Sequence, residues 1–192
     1  MKKLLLAGLA SIAVVLPVVA LQKGDTAPMF TAKASLAGKE FNYSLADALK
    51  QGPVVVYFYP SAFTQGCNIQ AHEFAVNMDA FKAAKASVVG VSLDSIARLN
   101  DFSADPAYCA GKLPVASDAD GSIAKSFGVN VSEGRPGIPD SRGVPIDHGF
   151  ADRMTFVLTQ DGKVASTFGG RQLPPDQNVQ QALQAVKELA AL

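Results

Sequence analysis

The sequence predicts a single α/β domain with a central sheet flanked by helices, and three features of the chain lead to that expectation. Two β-branched apolar runs, Pro53 to Tyr59 and Ser87 to Leu93, are each followed by a stretch that reads as a helix. Strand, helix, strand and helix in succession imply parallel strands joined by right-handed crossovers. Further on, Asp161-Gly162 separates two β-rich runs, a strong hairpin signal. At 192 residues and 48% apolar content, the chain can fill one proper core, and two independent domains would be a tight fit.

The first twenty residues stand apart from that domain. Lys2 and Lys3 give a positive start, Leu4 to Leu16 is uncharged and largely apolar, and Pro17-Val18-Val19-Ala20 supplies a helix break followed by small residues. This pattern is expected of an export signal cleaved after Ala20, leaving residues 21–192 as the mature domain, periplasmic or secreted. An uncleaved membrane anchor is the alternative, because Leu4 to Leu21 approaches the roughly 20 apolar residues of a spanning helix. Without the signal, the charge balance moves from 17 basic against 17 acidic residues to 15 against 17. No basic stripe is present to bind a phosphate backbone, so nucleic acid is not an expected partner.

Along the domain, Phe30 to Tyr43 holds two short strand candidates around a Gly38-Lys39 turn, and Ser44 caps a short helix through Lys50. Pro53 to Tyr59 is continuously apolar and reads as a buried central strand. Gly66 to Lys85 carries Ile69, Phe74, Met78 and Phe81 at near-helical spacing. Ser87 to Leu93 is a second strand and Ser95 to Tyr108 a second long helix. Leu113 to Ala116 then reads as a short strand and Ser122 to Phe127 as a short helix. Gly128 to Asp152, rich in Gly, Pro and Asp and without period, is expected to be a long surface loop. Met154 to Leu158 and Val164 to Phe168 form the hairpin, and Asp176 to Leu192 the last helix.

The chemistry gathers around Cys67, one of only two cysteines in the chain. The stretch Tyr57-Phe58-Tyr59-Pro60-Ser61-Ala62-Phe63-Thr64-Gln65-Gly66-Cys67 runs from a buried strand into the first turn of a helix, where α/β folds place reactive groups. A thiol there faces unpaired backbone N–H groups and the positive end of the helix dipole, and both favour negative charge on sulfur. Taken singly, Pro60 could merely end a strand, Thr64 cap a helix and Arg153 sit on a surface strand.

Together these residues resemble the peroxiredoxin signature of proline, three residues, threonine, two residues and cysteine, filled in register by Pro60, Thr64 and Cys67. Gly66 and Gln70 sit where relatives of the Q type, or bacterioferritin-comigratory-protein-like subgroup, have glycine and an acidic or amide residue. Ser117 to Gly121 resembles the family's turn before its small helix, and Arg153 to Leu158 its arginine-bearing strand. The resemblance implies a thioredoxin-like fold with a central mixed β-sheet. It also implies a thiol peroxidase that needs no cofactor and no metal and reduces hydrogen peroxide and organic hydroperoxides. By resemblance Cys67 is the attacking thiolate, Thr64 orients it and the peroxide, Pro60 shields the sulfur, and Arg153 stabilises the anionic sulfur and the leaving oxygen. The implied partners are a hydroperoxide and a thiol or thioredoxin-like reductant. The protein is expected as a monomer or weak homodimer, with no stable membrane association once the signal is removed.

The sulfenic acid formed on Cys67 must be resolved by a thiol. Cys109 is the internal candidate, since members of the subgroup carry a resolving cysteine in that helix, and where others carry one five residues after the nucleophile this chain has His72. The pairing is expected to require local unwinding, because disulfide Cα atoms lie within about 7 Å. A one-cysteine cycle with Cys109 as a buried hydrophobe remains open. His72 lies about 140° around the helix from Cys67 and is expected at the surface or in packing, and His148 as a solvated loop residue. A thioredoxin-like disulfide oxidoreductase needs a second cysteine three residues after the first, where this chain has Gln70, and a permanent disulfide brace would be non-catalytic.

Overall fold

The computed structural model describes residues 19–134, 137–170 and 172–191. The export-signal expectation falls on residues 1–20, of which 1–18 lie outside the described residues. In chain order the elements begin with strands β1 (Thr31–Leu36) and β2 (Lys39–Ser44), helix α1 (Leu45–Leu49), strand β3 (Val54–Phe58) and helix α2 (Gln65–Ala83). There follow β4 (Ser87–Ser92), α3 (Ile96–Ala104), β5 (Val115–Ser117), α4 (Ser122–Ser126), β6 (Val131–Ser132) and β7 (Phe150–Ala151). The hairpin β8 (Met154–Leu158) and β9 (Val164–Gly169) and the helix α5 (Pro175–Ala190) complete the domain.

Seven strands form one mixed sheet in the order β2-β1-β5-β4-β3-β8-β9. Its centre, β5-β4-β3, is parallel, while β1 pairs antiparallel with β5 and β8 pairs antiparallel with β3. This is the α/β thioredoxin-like fold that the resemblance implied. Strand β3 shows why its sequence is apolar throughout. Val55 and Tyr57 face one core with α2, α3 and α5, whereas Val54, Val56 and Phe58 face a second core with α1 and α4. Gly90 of β4 is required by close packing, since a Cβ there would sit 2.6 Å from the Tyr57 ring.

Two expectations change. The helix expected from Ser95 to Tyr108 ends at Ala104, because Pro106 disfavours helical backbone at Asp105, which is extended at ψ 120°. Residues 105–113 are turns, tied by Asp105 accepting from the Ala107 and Ala110 N–H groups. The segment 128–152 is not a bare loop. Strands β6 and β7 pair at its base, Pro139 bridges Pro145, and Asp140 and Ile146 are buried.

Candidate active site

Sheet register brings the distant parts of the site together. Phe58 at the end of β3 pairs with Met154 at the start of β8, so Arg153 is delivered beside the exit of β3, where the chain turns through Pro60 toward α2. Cys67 lies in the first turn of α2, buried at 2% exposure. The Arg153 Nη2 donates to its Sγ at 3.3 Å. Gly66 permits this approach, for a Cβ there would meet Arg153 Nη2 at 3.1 Å and Pro175 Cγ at 3.5 Å.

Arg153 is itself braced from behind. Its Nη1 donates to Gln70 Oε1, and Gln70 Nε2 donates to Asn178 Oδ1 at 3.0 Å, which also accepts from the Thr155 hydroxyl at 2.7 Å. Gln70, Asn178 and Thr155 are all fully buried, so this chain of bonds links α2, α5 and β8 in a dry setting. Sequence reasoning gave Gln70 a place but no role and missed Asn178 and Thr155. One signal was present: Asn178 shares the stripe of α5 that carries Ala182, Ala185 and Val186, a polar residue on an otherwise apolar face.

Thr64 is the N-cap residue of α2, yet its hydroxyl makes no capping bond and donates instead to the Ser61 carbonyl at 2.8 Å. Its proton is therefore committed, and its oxygen is left to accept. Pro60 is half-buried and, with Arg153, Phe150 and Leu173, borders a cleft of about 530 Å³. Cys109 is not in this constellation. It lies at 0% exposure in the turns after α3, and both it and Cys67 are free thiols. Burial first, and the Asp105 charge second, push the Cys109 thiol far up from its ordinary value.

The two histidines separate. His72 is exposed, with Nδ1 3.2 Å from the Ala107 carbonyl oxygen, in keeping with a surface position. His148 is not the solvated loop residue expected: its side chain is 12% exposed and its Nε2 lies 2.9 Å from Asp94 Oδ1. The cause is tertiary, because the pairing of β6 with β7 folds the segment back over the β4–α3 junction. Among the described residues no group of three or more His, Cys, Asp or Glu side chains is placed to hold a metal ion, and no helix is long and apolar enough to cross a membrane.

Comparison with known proteins agrees with this geometry. Residues 23–167 match the AhpC/TSA family. Peroxiredoxin Bcp of Escherichia coli K12 is 33% identical over 148 residues, covering 77% of this chain and 85% of that protein. The chloroplastic 2-Cys peroxiredoxin BAS1 of Hordeum vulgare is 30% identical over 174 residues, covering 86% and 76%. The crystal structure of peroxidoxin BcpB from Mycobacterium tuberculosis superposes with a TM-score of 0.72 at 28% identity, covering 88% of this chain and 98% of that one. A buried thiol at a helix start, a guanidinium on its sulfur and these matches lead to one assignment: the chain belongs to the AhpC/TSA family of peroxiredoxins, with a Bcp-like character, and is a thiol-dependent peroxidase.

Proposed function

We propose that Cys67 is the peroxidatic nucleophile, that Arg153, Thr64 and Pro60 complete its site, and that Cys109 resolves its sulfenic acid. The observation that carries this reading is the Arg153 donor 3.3 Å from the Cys67 sulfur on the first turn of a helix. The sulfur attacks one oxygen of the hydroperoxide and the O–O bond breaks. The electron pair leaves with the other oxygen, which takes up a proton and departs as alcohol or water. Arg153, fixed in place by Gln70, stabilises the charge moving onto that oxygen. Thr64, with its own proton on Ser61, accepts the O–H of the incoming hydroperoxide. Pro60 limits solvent at the sulfur.

In the second step the Cys109 sulfur attacks the sulfenic sulfur, forming the disulfide and releasing water. An external thiol or thioredoxin-like reductant then restores both thiols. Both cysteines belong to one apolar cluster, which supports the pairing. Burial holds Cys109 in its protonated, unreactive form, so its turn must open before it attacks. Residues 1–20 are proposed to export the protein, on the sequence pattern of Lys2 to Ala20.

Peroxide consumption with a generic dithiol tests the assignment. Wild type is expected to turn over and Cys67→Ser to be inactive; a Cys67→Ser variant that still consumes peroxide overturns it. Intact mass after one equivalent of peroxide tests resolution: wild type should lose two hydrogens, and Cys109→Ser should instead gain one oxygen. A gain of one oxygen in wild type favours the one-cysteine cycle. N-terminal sequencing of the exported chain should begin at Leu21, and a retained Met1 would refute cleavage.

A further inference from the structure

A second polar cluster surrounds the segment that leads into Cys67, and the peroxide chemistry makes no use of it. Asp94, fully buried, accepts from the Ala62 N–H at 2.7 Å, the Ser61 hydroxyl at 2.9 Å and the Ser92 hydroxyl at 2.7 Å. Its Oδ1 also meets His148 Nε2 at 2.9 Å and Arg98 Nε at 2.8 Å. Arg98 Nη2 donates to the Ala62 carbonyl at 2.9 Å and to Asp140 at 2.8 Å. From the segment after β6, Ser141 N–H donates to the Phe63 carbonyl at 2.8 Å. The Arg142 guanidinium lies 3.3 Å from the centre of the Phe63 ring while holding Asp140 at 3.1 Å.

The object of all these bonds is a strained one. Phe63 is a buried, non-glycine residue in left-handed backbone, at φ 60°. Such a conformation persists only where its surroundings over-determine it. The backbone it holds places Cys67 at 2% exposure, where a hydroperoxide is small enough to react but a thiol partner of any size is not, whether Cys109 at 0% exposure or an external one. Closure suits the first step of the cycle, and opening is needed for the second.

We propose that His148, Asp140 and Arg142, carried on the strap of residues 137–149, are positioning residues that latch Ser61–Phe63 onto Asp94 and Arg98. The latch keeps the Cys67 sulfur closed for peroxide and must release before that sulfur meets a thiol. The inference rests on Cys67 being the nucleophile, but not on which thiol resolves it.

The charge state of His148 enters as a modulator. Burial alone would lower the His148 value, but the hydrogen bond and charge of Asp94 outweigh it and the net direction is up. For Asp94, burial raises the value, yet the His148 bond and charge and the Ala62 and Ser92 bonds bring it below the usual carboxylate range. The charged groups facing His148 are Asp94 from the β4–α3 junction and Arg98 from α3, the latter opposing protonation. A raised histidine gives its contribution fully below the unfolded-state value and loses it as pH rises through the folded one. The latch therefore weakens toward alkaline pH.

The test uses the full chain with Cys109→Ser, so that Cys67 is the one thiol. Two rates are measured on it: oxidation by hydrogen peroxide, followed by intact mass, and alkylation by the bulky, uncharged pyrene maleimide. Both draw on the same thiolate, so their ratio cancels its ionisation and reports opening. His148→Gln and Arg142→Gln, the latter at a side chain about one third exposed, are each expected to raise the maleimide-to-peroxide ratio about tenfold. In the parent the ratio should climb as His148 loses its proton, and in His148→Gln it should be flat. A ratio unchanged in Arg142→Gln and independent of pH in the parent overturns the latch. Failure of Cys67 to react with peroxide overturns the peroxidase reading instead.

Discussion

Cys67 and Cys109 lie in the same apolar cluster between the sheet and helices α2, α3 and α5, and both are almost wholly buried, yet their surroundings are opposite. Cys67 stands on the first turn of a helix with a guanidinium nitrogen 3.3 Å from its sulfur. Cys109 sits in a run of turns with the Asp105 carboxylate as its nearest influential charge, and burial and that charge both hold it protonated. Burial by itself makes a cysteine inert. What separates a nucleophile from a core residue here is the partner that the fold delivers to the sulfur.

The largest effect is expected from removing that partner. Arg153→Gln should slow oxidation of Cys67 by hydrogen peroxide by about 10²–10³-fold, the loss typical of one donor aimed at developing charge, read by single-turnover kinetics. A rate within threefold of wild type would break the contrast between the two thiols. An intermediate effect is expected one bond further out. Asn178→Ala leaves Gln70 Nε2 and the Thr155 hydroxyl without their shared acceptor, so unfolding free energy in denaturant should fall by about 1–3 kcal/mol. Because Arg153 then loses its rear support, the same peroxide rate should drop about tenfold. A stability loss without a rate loss would show that Arg153 holds its place unaided.

The smallest effect belongs to Cys109. Asp105→Asn in a Cys67→Ser background should change the alkylation rate of Cys109 by no more than about threefold, because burial rather than the neighbouring charge is the larger cause of its inertness. A change far beyond that would reverse the order of the two causes.

How much of this was legible in the chain varies by element. Strand β3, helix α2 and the β8–β9 hairpin follow from local pattern: β3 is a short continuous apolar run buried on both faces, α2 buries residues at helical spacing, and Asp161-Gly162 marks the turn between β8 and β9. Cys67, Thr64 and Pro60 were legible because they are close in sequence and held by one strand-to-helix turn. The end of α3 at Ala104 was misjudged although Pro106 announced it, and the apolar residues beyond, Tyr108 and Cys109, are buried by turns rather than by a helix face. His148 was misjudged for a different reason. Its one local partner is the Gly149 carbonyl beside Nδ1; Asp94, which takes Nε2, lies 54 positions away and meets it only once β6 and β7 have paired.

By itself, the sequence determined the α/β order of elements and the turn that carries Cys67, because helical and strand periodicity, caps and glycine turns act over a few residues. Tertiary structure alone decided that Arg153 reaches the sulfur, that Gln70, Asn178 and Thr155 brace it, and that a strap far along the chain closes over Phe63. Those contacts join residues separated by tens of positions, and they depend on strand register and on the loss of water around paired polar groups, which no local pattern records.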